Sequence, residues 1–140
     1  MYLRVVKSFG DLTDPAQRLA DGVRQFVRRA HEEKHWGQFI IRFALSEESL
    51  QGVWFGPPAT DVAEGIRIGR YDIRPEQLPS AMSTISGSVL GAIFLVVEGH
   101  RTWREAGSDT AELVLRALGV PAAEARRCAT SELPPLASLD

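Results

Sequence analysis

The sequence predicts an all-α protein, a compact helical bundle, and three observations carry that prediction. Apolar residues recur at three-and-four spacing, as in Leu19, Val23, Phe26, Val27 and Ala30. Helix-starting and helix-stopping residues punctuate the chain at short intervals: Asp14-Pro15, Gly56-Pro57-Pro58, Pro75, Gly99, Gly119 and Pro121. Apart from Leu3 to Val6, no run alternates with β-branched enrichment.

Composition bounds the rest. The 140 residues make one ordinary domain, and a chain of that size buries about two-thirds of its surface on folding. Hydrophobic residues at 44% and charged residues at 24% exclude a disordered chain. The net charge of −2 argues against direct nucleic-acid contact by this chain, because a phosphate-gripping module is basic. The lone Cys128 excludes an intrachain disulfide and fits a reducing compartment.

The uncharged stretch from Gln77 to Val97 is long enough to span a bilayer. However, Pro79, Ser80, Ser83, Thr84, Ser86, Ser88 and two glycines interrupt it, and only Val89 to Val97 is strongly apolar. The amino terminus carries no signal-peptide pattern. A cytoplasmic protein with no membrane contact is expected. Residues 1–12 read as a lead-in, 13–136 as the helical domain and 137–140 as a tail.

The first helix opens with Asp14 as N-cap, Pro15 in the first position and Gln17 where a capping-box partner belongs. It ends in the charged run His31 to Lys34. A second helix carries Trp36, Phe39, Ile40 and Phe43. Ser46 caps a short third across Glu47 to Trp54, which Gly56-Pro57-Pro58 breaks. A fourth buries Val62 and Ile66 and ends at Gly69. Tyr71 to Arg74 connects it to a long fifth helix that opens at Pro75-Glu76, with Pro79 kinking it or delaying its regular start, and runs to about Glu98. Ser108 caps a sixth with the stripe Ala111, Val114, Leu115 and Leu118. Pro121 starts a last one through Ala122, Ala125, Cys128 and Ala129.

The long fifth helix is apolar or small nearly all the way round, so it is predicted to be buried on all sides. In so short a chain a second copy is the natural cover. Met82, Ile85, Val89, Ile93 and Val96 form its large-residue stripe. Thr84, Gly87, Ser88 and Gly91, continued by Leu95, form a strip that admits a close partner helix, either in the same subunit or in a second copy.

At these residues the chain resembles a known family. Leu115 to Leu136 (LRALGVPAAEARRCATSELPPL) and Gly65 to Gly99 (GIRIGRYDIRPEQLPSAMSTISGSVLGAIFLVVEG) resemble the carboxyl-terminal part of TetR-family transcriptional regulators. Asp14 to Ala30 (DPAQRLADGVRQFVRRA) resembles the helix that opens that family's ligand-binding core. The resemblance implies a homodimer built from two helices of each subunit, here the fifth and sixth, which adds Ala111, Leu115 and Leu118 to the interface. It also implies a small-molecule pocket among the preceding helices. The family's helix-turn-helix is not recognisable after Met1. A fragment, a misassigned start and a member that has lost DNA binding all fit. A stand-alone helical dimer that binds small molecules without DNA is the alternative reading.

For the pocket, Phe26, Trp36, Phe39, Ile40, Phe43, Trp54 and Phe55 belong to helices expected to surround a common centre, with Met82 as a wall. Gln38, Arg42, Ser83 and Ser86 are the candidate polar contacts. Such a lining suits a small apolar or aromatic effector, although aromatics at helical spacing also make plain core. No catalytic residue, cofactor or metal is expected. His31-Glu32-Glu33-Lys34-His35 matches the zinc-hydrolase pattern H-E-x-x-H by letter. Its charged neighbours mark a solvated helix end, and nothing marks a third ligand.

Overall fold

Helix formation begins at Asp14. In the computed structural model, which describes residues 4, 13–44, 46 and 56–136, Asp14 N-caps α1 (Pro15–Glu32), its Oδ1 accepting the Ala16 backbone N–H at 3.1 Å. That bond satisfies one of the orphan donors of the first turn. Next come α2 (Lys34–Phe43), α3 (Pro57–Arg67), a 3-10 turn at Pro75–Gln77, α4 (Leu78–Val97), α5 (Trp103–Ala117) and α6 (Ala122–Thr130). No strand occurs among the described residues. The predicted helix across Glu47 to Trp54, with Phe55, lies outside them.

Two boundary expectations are sharpened and two change. Pro57 and Pro58 open α3, where the missing N–H groups cost nothing. Pro79 does delay regular α-helix, because the chain makes a 3-10 turn first and α4 begins at Leu78. Ser108 does not cap the sixth helix. Thr102 does, in a reciprocal box with Glu105, so α5 starts six residues earlier. Finally, Gln17 is no capping-box partner. Its Nε2 donates to Asp21 (3.0 Å), to the Cys128 carbonyl (2.9 Å) and to Ser131 Oγ (2.9 Å), which ties α1 to the end of α6.

The helix ends share one device. α3, α4 and α5 each finish with a glycine at positive φ: Gly69, Gly99 and Gly119. The next N–H then reaches back into the last turn, as when Arg70 donates to the Gly65 carbonyl at 2.9 Å and Val120 to that of Leu115 at 3.0 Å. This Schellman closure satisfies carbonyls the helix would otherwise leave open.

Packing places α1 at the centre, against α2, α3, α4, α5 and α6. One apolar cluster joins Ala16, Ala20 and Val23 of α1 to Val62 of α3, Met82 and Ile85 of α4, Val114 and Leu115 of α5, and Cys128 of α6. A second joins Val27 and Ala30 of α1 to Ala92 and Ile93 of α4 and Ala106 of α5, with Trp36, Ile40 and Trp103 packed against it. Val89 touches both clusters. Burying a side chain such as Met82 or Ile93 stabilises by about 1.5–3 kcal/mol. Close approach depends on glycines: Gly107 of α5 lies against the Arg24 backbone, and the Tyr71 ring lies on Gly65.

The helix α4 is not buried on every side. Pro75–Val97 is long and apolar enough to cross a membrane, with mean hydropathy 1.8. Its Met82, Ile85, Ala92 and Ile93 are buried in the bundle, while Ser83, Thr84, Gly87, Gly91, Phe94 and Leu95 are exposed. Its apolar composition serves two faces.

Candidate functional site

Two surfaces answer to the predicted sites. On α4, Thr84, Gly87, Gly91 and Leu95 lie open to solvent with Ser88 half-buried between them. A Cβ added at Gly87 or Gly91 would meet nothing within 4 Å. The hydroxyls on this strip are already satisfied by their own helix: Thr84 Oγ1 donates to the Ser80 carbonyl at 2.9 Å and Ser88 Oγ to that of Thr84 at 2.7 Å. The strip therefore presents small side chains with the Thr84 and Ser88 hydroxyl donors already satisfied, which an apolar helix can cover at little desolvation cost.

On α5 the expectation is corrected. Ala111, Leu115 and Leu118 are packed inside their own subunit, with Leu115 at 0% exposure. The single apolar stripe of this helix is used up by α1, α4 and α6. Its outward side carries Leu113, 60% exposed, beside Arg116 and Asp109.

Among the described residues, the aromatic side chains do not form one centre. Phe26 and Trp36 meet with ring centroids 6.0 Å apart, and Ile40 joins Trp36 against the second cluster. Arg29 lies over the Trp36 ring at 4.3 Å. Phe39 and Phe43 stack on each other at 4.9 Å on the outer side of α2, 55% and 46% exposed. Gln38 and Arg42 are exposed nearby. Met82 belongs to the first cluster, among α1, α3, α5 and α6, and so is no wall for Trp36. Ser83 is exposed and Ser86 half-buried on α4. Trp54 lies outside the described residues.

The H-E-x-x-H letters do not make a metal site. α1 ends at Glu32, Glu33 takes φ −121° and ψ 81°, and α2 starts at Lys34, so the two histidines sit on different helices. Arg28 Nε donates to Glu32 at 2.8 Å, and Arg29 to Glu33. An i, i+4 pair of ligands needs a continuous helix.

Sequence reasoning missed a polar network at the opposite end. Arg70 donates to both Asp14 oxygens and, at 2.8 Å, to Glu124. It holds the Asp14 carboxyl below the usual carboxylate range. Asp21, buried two turns further along α1, is shifted the other way by desolvation. Long-range pairs of this kind leave no periodic trace in a sequence.

The chain matches the profile of the tetracyclin repressor-like C-terminal domain over residues 14–131. Its structure resembles the crystal structure of RolR in complex with the ligand resorcinol (TM-score 0.80, 28% identity, covering 96% of this chain and 66% of that one). It likewise resembles RolR without ligand (TM-score 0.79, 28% identity, covering 96% and 68%). The chain thus spans about two-thirds of the length of RolR. No curated protein matches it. The chain belongs to the tetracyclin repressor-like family, as its C-terminal domain.

Proposed function

We propose that residues 13–136 form the effector-binding and homodimerising unit of a TetR-like transcriptional regulator, acting in the cytoplasm and catalysing no reaction. The observation that carries this is the family match over residues 14–131, taken with the likeness to a RolR structure holding a small aromatic ligand. The effector is a small aromatic or apolar compound, and the corner formed by Phe26, Trp36 and Ile40 is where it docks. Phe39 and Phe43, on the exposed side of the helix that carries Trp36, are further candidate contacts. The dimer forms through the exposed face of α4, Thr84 to Leu95, with the Leu113 side of α5.

In the whole regulator, DNA is held by a helix-turn-helix outside this chain. Effector binding favours one dimer geometry over another, and only its difference in affinity for the two moves the equilibrium. Titration with resorcinol, catechol and phenol in a thermal-unfolding assay tests the effector reading. A ligand at a hundred times its Kd stabilises by about 2.7 kcal/mol. The expected result is a saturable rise in Tm for at least one of them, reduced in Trp36→Leu. No rise with any of the three would contradict a phenol-type effector.

A further inference from the structure

Between α1, the first turns of α5 and the tail after α6 lies an open groove of about 350 Å3, a size at the lower end of small-molecule sites. Three arginines line it: Arg24, Arg28 and Arg104. Their charges are incompletely met. Arg24 is 11% exposed in its side chain, and its ion pair with Asp21 is long, 3.4 Å. Burial lowers its pKa, the sign of a cation whose desolvation is not fully offset. Arg28 gives only Nε to Glu32, leaving its two terminal nitrogens without a carboxylate among the described residues. Arg104 has no ion pair among the described residues; it lies over the Trp103 ring at 4.5 Å, with Arg28 over the same ring at 5.1 Å.

The other lining groups fix the chemistry. Glu132 stands exposed at the edge and pairs with none of the three arginines. The Ser108 hydroxyl adds a donor, and Leu133 with the Trp103 ring adds an apolar side. Guanidinium forks match the two oxygens of a carboxylate, and the positive end of α5 begins at Trp103.

We propose that this groove is a second ligand site, specific for a small organic carboxylate whose charged group is received by Arg104 and Arg24 and whose body lies along Trp103 and Leu133. It differs in chemistry from the uncharged effector site proposed at Phe26, Trp36 and Ile40.

The test titrates the 140-residue chain with benzoate at constant ionic strength. Benzamide serves as the neutral shape match and inorganic phosphate as a compact anion. Calorimetry gives affinity, and the Trp103 indole N–H resonance reports position. The expected result is one benzoate site, at least tenfold tighter than benzamide or phosphate, with the Trp103 resonance shifting. Arg104→Gln, at an exposed position, weakens benzoate at least tenfold with the helical signal unchanged, while Arg127→Gln leaves it intact. Equal binding of benzamide or phosphate, an unaffected Arg104→Gln variant, or displacement of benzoate by resorcinol would each overturn the proposal.

Discussion

Arg70 and Asp14 stand 56 residues apart in the chain and join through two hydrogen bonds, Nε to Oδ1 at 2.9 Å and Nη2 to Oδ2 at 3.2 Å. The same carboxylate caps α1. One side chain thus starts the central helix and anchors the loop before α4. Asp14→Asn keeps the cap, since Asn is an equally good N-cap, and removes the charge. With Asp14 partly exposed, the expected loss at pH 7 is about 1 kcal/mol.

The pH dependence of that loss has a definite sign. The folded-state pKa of Asp14 is depressed, chiefly by the Arg70 hydrogen bond. Its contribution is present above the ordinary carboxylate pKa and disappears as pH falls through the depressed one. Thermal unfolding at a series of pH values therefore shows wild type and Asp14→Asn separated at pH 7 and converging in acid. A gap that stays constant would contradict the role of the charge.

Glycine substitutions rank by what surrounds them. At Gly65 a Cβ would overlap the buried Tyr71 ring. Gly65→Ala is expected to cost about 1–2 kcal/mol net, overpacking outweighing the gain in helix propensity. At Gly69, φ is +78° but the space is open, so alanine costs about 1 kcal/mol. Gly119 combines φ +90° with a 2.7 Å contact to Asp72 Cβ, so Gly119→Ala exceeds Gly69→Ala. Urea unfolding of the three variants checks the order.

On α5 the core and the outer face separate cleanly. Leu115→Ala, at a fully buried position, is expected to lower stability by about 2–5 kcal/mol. Leu113→Asp, exposed by 60%, changes the folding stability of the subunit by less than about 0.5 kcal/mol while weakening self-association. Chemical denaturation measures the first effect and sedimentation the second. Loss of association in a folded Leu115→Ala protein, with Leu113→Asp unaffected, would reverse the assignment.

The helices were legible because their ends carry strong local chemistry: Asp14-Pro15 at one end, and Gly69, Gly99 and Gly119 at others. The start of α5 was legible too, in Thr102-x-x-Glu105, but Ser108-Asp109 competes for the same role and carries no matching partner. The small strip on α4 could be read because Thr84, Gly87, Ser88 and Gly91 share a helix face whatever surrounds them. Which neighbour a face meets could not. Met82 and Trp36 both look like pocket residues in sequence, and only the crossing of α4 past α1 puts them in different clusters. The stripe of Ala111, Leu115 and Leu118 likewise fits a partner subunit or the subunit's own core, and the sequence holds nothing that decides.

The face of α4 decides most directly whether this domain is a dimer of the proposed kind. Gly91 has open space around it and sits within a helix, so Gly91→Leu is tolerated by the isolated subunit and gains about 0.8 kcal/mol of helix propensity. Sedimentation equilibrium of wild type and Gly91→Leu is the measurement to make. Wild type is expected at twice the 15.4 kDa chain mass, and Gly91→Leu at the chain mass with its helical content intact. A wild-type monomer at all concentrations, or a Gly91→Leu dimer of unchanged affinity, would contradict it.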